Sequence, residues 1–134
     1  MRARAHSSID DIDPGEWNAF AGAGCPFLRH EFLAALEHTG CVGAGTGWEP
    51  CPIALSDDLG LAAAAPAYVK THSYGEFVFD FAWAQAYSRH GRLYYPKLVV
   101  AVPFTPAITA NPSATRASAI FGAAEASPEL PSDR

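Results

Sequence analysis

The segment from Thr71 to Pro106 combines the chain's densest set of aromatic residues with side chains that can move protons or bind polar groups. These groups are His72, Ser73, Glu76, Asp80, Arg89, His90 and Lys97. Aromatic side chains alternate with them: Tyr74, Phe77, Phe79, Phe81, Trp83, Tyr87, Tyr94, Tyr95 and Phe104. Aromatic rings alone are typical of a core, but rings with hydroxyls beside a carboxylate and an imidazole are typical of a binding-site wall. The segment is therefore the candidate site.

A predicted loop from His72 to Glu76 places two proton-transfer groups close together. Glu76 and His72 lie four residues apart, with Ser73 and Tyr74 between them, so these side chains can share a pocket. Carboxylates and imidazoles are common general acids and bases in catalysis. Asp80 lies near a predicted helix start, where the ordinary interpretation is a helix cap.

Tyr94, Tyr95 and Lys97 lie together where a strand is predicted to begin. Lys97 could hold a carboxylate or a phosphate of a ligand at this position. The alternative is a lysine whose stem packs on the sheet while its ammonium group reaches water. Four neighbouring aromatic residues are interpreted first as core and second as ligand contacts: Phe77, Phe79, Phe81 and Trp83.

Two helices are predicted in the first 40 residues. Asp13 and Pro14 have the residue types of an N-cap and a first helical position, and this helix is predicted to end near Phe20. A second helix is predicted from residue 26 or 27 to residue 39, because apolar residues recur there at helical spacing and Gly40 follows as a stop.

Strands are predicted after residue 51. The segments 52–56 and 61–70 form a predicted antiparallel hairpin, in which Pro66 indicates an edge position or a bulge. A helix is predicted over 77–90. The segment 94–102 is predicted as a strand covered on both faces, because its centre is continuously apolar. Helices on a mixed sheet indicate an α/β or α+β layer architecture.

Size and charge limit the function classes. A chain of 134 residues forms one domain at most, which we place at 1–106, followed by a predicted disordered tail at 107–134. The net charge of -5 gives no electrostatic footprint for DNA or for an anionic membrane. The apolar runs are too short to span a bilayer, and no signal-peptide pattern follows the N-terminus. We therefore expect a cytoplasmic protein.

The three cysteines Cys25, Cys41 and Cys51 are an odd number without CxxC spacing. With His30 and His38 nearby, a small zinc site is one alternative. Free thiols in a reducing compartment are the favoured interpretation, so we expect no metal.

Three strings of the sequence carry a resemblance to a known family. They are FLRHEFLAALE at 27–37, AAAAPAYVKTHSYGEFVFDFAWAQAY at 62–87 and YYPKLVVAVPFTP at 94–106. They resemble the N-terminal part of the FemAB-like predicted N-acyltransferases, which are bacterial relatives of the Fem peptidoglycan-bridge transferases. The resemblance implies a GNAT-like mixed sheet flanked by helices, incomplete in this chain.

The same resemblance implies a reaction and a set of roles. An amine attacks an activated acyl donor such as acyl-coenzyme A, and the protein removes a proton, polarises the carbonyl and protonates the leaving group. The acceptor is then a small-molecule or peptide amine. The implied catalytic residues are Glu76, His72 and Tyr94. The implied substrate-binding residues are Ser73, Tyr74, Tyr95, Lys97 and Trp83.

The sequence departs from the family pattern in two respects. Family members are longer, and after Pro106 this sequence takes a different course, as a frameshifted or prematurely ended reading frame would. We also find no glycine-rich loop for the donor's pyrophosphate after Val102. We therefore expect a truncated transferase whose activity is open. The alternative is a non-catalytic binding or dimerisation module that self-associates through an uncovered sheet edge.

Overall fold

The structure, a computed structural model, describes residues 1–21, 24–76 and 79–105. Within these ranges the elements follow in this order: β1 (Arg2–Ala5), α1 (Pro14–Ala21), α2 (His30–His38), β2 (Trp48–Pro50), β3 (Ile53–Asp57), β4 (Gly60–Ala65), β5 (Ala67–Lys70), α3 (Phe81–Arg89) and β6 (Lys97–Val100). Short 3-10 turns occupy Ile9–Asp11 and Pro26–Leu28. The predicted tail at 107–134 lies outside the described residues.

The described strands form two three-stranded antiparallel sheets, with the orders β1-β3-β4 and β2-β5-β6. The predicted α+β class is confirmed, although these strands form two antiparallel sheets where one mixed sheet was expected. The reason lies at Pro66, which lacks the amide hydrogen that a central strand needs. Pro66 separates β4 from β5, and the chain passes there from the first sheet to the second.

The pairing of β3 with β4 confirms the predicted hairpin, but its second strand ends at Ala65 and not at residue 70. Its register runs from Ile53 opposite Ala65 to Asp57 opposite Gly60. Gly60 has a φ of +108°, a backbone conformation that side chains disfavour, so glycine is the residue that suits this turn.

The first helix is confirmed as predicted. The Asp13 side chain accepts a hydrogen bond of 2.8 Å from the backbone N–H of Glu16, which is the expected N-cap bond. The second helix begins at His30 instead of residue 26, because Arg29 is extended (ψ 141°) and separates it from the preceding 3-10 turn. Gly40 follows its end with a φ of +72°.

The main core lies between α1, α2 and the first sheet. Its buried members are Ile9, Ile12, Trp17, Leu33, Ala34 and Ala54. The indole N–H of Trp17 donates a 2.8 Å hydrogen bond to the carbonyl oxygen of Leu28, so this aromatic side chain ties α1 to the turn before α2. A second, smaller cluster of Val42, Trp48 and Tyr68 lies against the second sheet.

The last helix and strand are shorter than predicted. Helix α3 begins at Phe81 rather than at residue 77, which lies outside the described residues. Strand β6 spans four residues at an edge of the second sheet, and Leu98 and Val100 are 56% and 60% exposed. The prediction of a strand covered on both faces is therefore wrong. None of the helices in the described ranges is long and apolar enough to cross a membrane.

Candidate functional site

The second sheet places two lysines side by side. Lys70, the last residue of β5, pairs across the sheet with Lys97, the first residue of β6, and Lys70 also pairs with Trp48 of β2. Two ammonium groups opposite each other on one sheet repel. Nearby carboxylates must therefore compensate them, and the chain between the two strands supplies Glu76 and Asp80.

Lys97 joins these two carboxylates. Its Nζ donates to Glu76 Oε2 at 2.8 Å, to an oxygen of Asp80, and more weakly to Ser73 Oγ at 3.3 Å. The three charged side chains are 13–17% exposed. Ion pairs withdrawn from water to this extent interact more strongly than pairs at the surface.

Asp80 is the centre of the hydrogen-bonded cluster. Its carboxylate accepts hydrogen bonds from Ser73, from Lys97 and from the Tyr94 hydroxyl, the last at 2.5 Å. Burial acts to raise the pKa of Asp80, but hydrogen bonds from Lys97, Ser73 and Tyr94 outweigh it and lower the pKa. Asp80 does occupy the N-cap position of α3, but within the described residues its side chain makes no capping hydrogen bond to the helix.

Two tyrosines complete the cluster. Tyr95 OH lies 2.5 Å from Ser73 Oγ, and since Ser73 gives its own hydrogen to Asp80, Tyr95 donates to Ser73. The hydrogen bond to Asp80 raises the pKa of Tyr94, and burial adds to this effect. Tyr94 therefore remains a protonated phenol near neutral pH.

Lys70 is a member of the site that the sequence reasoning missed. Its side chain is fully buried, and its Nζ donates to the Tyr74 carbonyl oxygen at 2.6 Å. The same ammonium lies 3.6 Å from the centre of the Trp48 ring and 3.6 Å from Glu76 Oε1. Burial lowers the pKa of Lys70, and the Glu76 carboxylate opposes that shift. In the sequence Lys70 has no distinguishing feature beyond being the last residue of a strand.

His72 lies apart from this cluster. Its Nε2 is 3.1 Å from the Thr46 carbonyl oxygen, and its Nδ1 accepts a hydrogen bond from the Tyr74 N–H. Nε2 therefore carries the proton that is donated to Thr46. Among the described residues these contacts connect His72 to the chain before β2 and not to Glu76. The structure thus brings Glu76 and Tyr94 into one cluster and leaves His72 beside it.

Exposed aromatic rings border the cluster. The Tyr74 ring contacts Phe81 at 5.6 Å, and Phe81 stacks on Phe79 at 5.6 Å with an angle of 11° between the rings. Tyr74, Phe79 and Trp83 are 64–66% exposed, and Phe81 is 45% exposed. The core interpretation of Phe79, Phe81 and Trp83 is therefore wrong, whereas Phe77 lies outside the described residues.

The cysteines do not form a metal centre in the part of the chain that the structure describes. Cys25, Cys41 and Cys51 are free thiols. Across the described ranges no group of three or more His, Cys, Asp or Glu side chains is arranged to hold a metal ion.

Comparison with known proteins gives one match. The model of the FemAB-like family, described as peptidoglycan biosynthesis/recognition, matches residues 8–118. The matched range includes every residue of the cluster around Asp80. No curated protein and no solved structure matches the chain.

Proposed function

This chain belongs to the FemAB-like family, as the sequence resemblance predicts, and on that premise we propose that its site serves acyl transfer from an activated donor to an amine. Membership connects the chain with peptidoglycan-related transferases. The observation that carries the finer proposal is the cluster in which Lys97 joins Glu76 to Asp80. It gathers carboxylate, ammonium and phenol groups in one partly buried place.

Glu76 is the carboxylate best suited to accept a proton. Asp80 already accepts three hydrogen bonds, and its lowered pKa makes it a weak base. Glu76 uses Oε2 for Lys97, while its Oε1 has no hydrogen-bond donor among the described residues. Because Oε1 is buried, the acceptor's proton is proposed to reach Glu76 at Oε2, which keeps a free lone pair beside Lys97.

Tyr94 is suited to the opposite task. Its phenol stays protonated, and its hydroxyl donates a hydrogen bond to the Asp80 carboxylate, to which Lys97 also donates. In the proposed step the C–N bond forms as the C–S bond of the donor thioester breaks. One proton of the acceptor ammonium goes to Glu76. Tyr94 gives its phenolic proton to the leaving thiolate and takes up a second proton from the amine in its place.

The exposed rings and the remaining polar groups are suited to binding the acceptor amine. Tyr74, in the loop that carries Glu76, and Trp83, in the first turn of α3, offer exposed aromatic surface, while Ser73, Tyr95 and Lys97 supply hydrogen bonds. Two carboxylates already neutralise Lys97, so a donor phosphate would compete with them for it. We therefore propose acyl-coenzyme A, or another activated acyl compound, as the donor. We do not propose Lys97 as the residue that binds its phosphates. His72, bound to Thr46, has no proton-transfer role in this proposal.

A thiol-release assay tests the proposal. The purified chain is incubated with acetyl-coenzyme A and a lysine-containing peptide, and free thiol is measured. Glu76→Gln should lower kcat/KM by about 10²- to 10⁴-fold, the usual contribution of a general base. Glu31→Gln, at an exposed position of α2, is the matched control. Equal rates for Glu76→Gln and the unaltered chain would contradict the role of Glu76.

A second candidate function is a module that self-associates. The observation in its favour is strand β6, which lies at a sheet edge and exposes Leu98 and Val100. An uncovered edge strand with apolar side chains can pair with a second chain. Light scattering at rising protein concentration should then show a dimer, and Leu98→Lys should weaken it. A monomer at all concentrations, together with thiol release, would exclude this candidate in favour of the first.

A further inference from the structure

We propose that Lys70 is a positioning residue that holds the Glu76 carboxylate in place for proton transfer. The inference rests on the proposed role of Glu76, but its electrostatic part can be measured without any substrate. Lys70 itself is fully buried and does not reach a ligand. It acts through Glu76.

The carboxylate of Glu76 is held between the two lysines. Oε2 accepts the hydrogen bond from Lys97 at 2.8 Å, and Oε1 lies 3.6 Å from the Nζ of Lys70. Oε1 is buried and has no hydrogen-bond donor within the described ranges. A buried charged oxygen without a counter-charge is strongly destabilising. The Lys70 ammonium supplies that counter-charge on the inner side.

Other contacts fix the ammonium of Lys70. It donates to the Tyr74 carbonyl oxygen at 2.6 Å and lies over the face of the Trp48 ring. The indole N–H of Trp48 donates to the same carbonyl oxygen at 3.1 Å. The loop that carries Glu76 is therefore tied through the Tyr74 carbonyl oxygen to Lys70 and Trp48, and of these two side chains Lys70 also faces the carboxylate.

The charges around Lys70 come from three places in the chain. Glu76 of the loop stabilises its charged form, as does the more distant Asp80 before α3. The positive charge of Lys97 in β6 destabilises the charged form of Lys70, and burial destabilises it most. Two ammonium groups and two carboxylates thus form one neutral set. Removing one carboxylate leaves an excess of positive charge at Lys70.

The chain offers a direct measurement, because Lys70 and Lys97 are its two lysines. Labelling lysine with ¹³C gives two side-chain signals, and Lys97→Arg assigns them. In the unaltered chain the Lys70 signal should titrate at lower pH than the Lys97 signal. Glu76→Gln should move the Lys70 midpoint further down by about one to three pH units, the usual effect of a nearby opposite charge. Glu31→Gln should move neither signal.

An unchanged Lys70 midpoint in folded Glu76→Gln protein would overturn the proposal. Two variants of Lys70 then test its consequence for catalysis. Lys70→Met should lower kcat and alter the pH profile of kcat, while Lys70→Arg should restore part of both. Should Lys70→Met fail to fold, the Lys70 midpoint measured in Glu76→Gln protein still tests the coupling between Lys70 and Glu76. Should the chain release no thiol at all, the proposed function fails while the Lys70–Glu76 coupling stands or falls on the titration alone.

Discussion

The imidazole of His72 occupies the space that a side chain on Gly47 would need. A Cβ atom at Gly47 would have three atoms of the His72 ring as its nearest neighbours. Gly47 also has a φ of +77°, in the region that side chains disfavour. The ring is therefore held against the bare backbone before β2, with its Nε2 on the carbonyl oxygen of Thr46.

Gly47→Ala should destabilise the protein by about 1–3 kcal/mol, because the new methyl group strains the backbone and displaces the His72 ring. Chemical denaturation measures the loss. Gly24→Ala is the matched control, since a Cβ at Gly24 meets nothing within 4 Å. Equal stability of the two variants would show that the ring moves aside freely.

Leu33→Ala should cost about 2–5 kcal/mol of unfolding free energy, because Leu33 is 1% exposed in the core beneath α2 and its truncation leaves a cavity. Leu59→Ala, at an 80% exposed turn position, removes the same atoms and should change stability by less than about 0.5 kcal/mol. Thermal unfolding of both variants makes the comparison. A similar loss in both would place Leu33 outside a packed core.

The lowered pKa of Asp80 predicts a loss of stability in acid. Below the ordinary aspartate value of 3.8 the unfolded chain takes up a proton that the folded chain resists, so stability falls as the pH falls. The unfolding free energy of the natural sequence should therefore decrease from about pH 4 downward. Asp80→Asn should show a shallower decrease, although it is less stable at neutral pH. Asp58→Asn, at an exposed turn position, should keep the full slope.

Tyr94→Phe should weaken the same effect. The Tyr94 hydroxyl is one of the three donors that lower the pKa of Asp80, so its removal should return that pKa toward the ordinary value. The acid unfolding curve should then lie between those of the natural sequence and Asp80→Asn. Tyr87→Phe is a suitable control, because Tyr87 contacts Tyr94 through its ring at 5.2 Å. A curve identical with that of Asp80→Asn would contradict this, because it would mean that the Tyr94 hydrogen bond alone lowers the pKa of Asp80.

The parts of the fold that local sequence determines could be predicted. Asp13 makes the N-cap bond that its type and position indicate, and Pro66 marks an irregularity in the strand run, although it divides the run into two strands and forms neither the expected edge position nor a bulge. The change of sheet after Pro66 could not be predicted, because β5 pairs with β2, which precedes the hairpin, and with β6, which lies thirty residues later. The same limit explains the error over 94–102. Its apolar run indicates burial, but no described strand lies beyond β6 to cover it.

The candidate site shows the same division. Glu76, Tyr94, Tyr95, Ser73 and Lys97 meet as the density of the segment suggested. Asp80 was interpreted mainly as a cap and Lys70 was missed, because the importance of Asp80 arises from the donors that the fold gathers around it and that of Lys70 from pairing across the sheet and from burial. None of these properties has a signal in one sequence. An aspartate before a helix looks like a cap until three donors are seen around it.

The passage of the chain at Pro66 has a mechanical consequence. The helices α1 and α2, which bury the larger core, pack on the first sheet. The charged groups of the site lie in β5 and β6 of the second sheet or in the segment that connects these two strands. A local fluctuation can therefore loosen the strands that carry the chemistry while the helical half stays intact. Amide hydrogen exchange would show this as two levels of protection, the higher in α1, α2 and the first sheet and the lower in β2, β5 and β6.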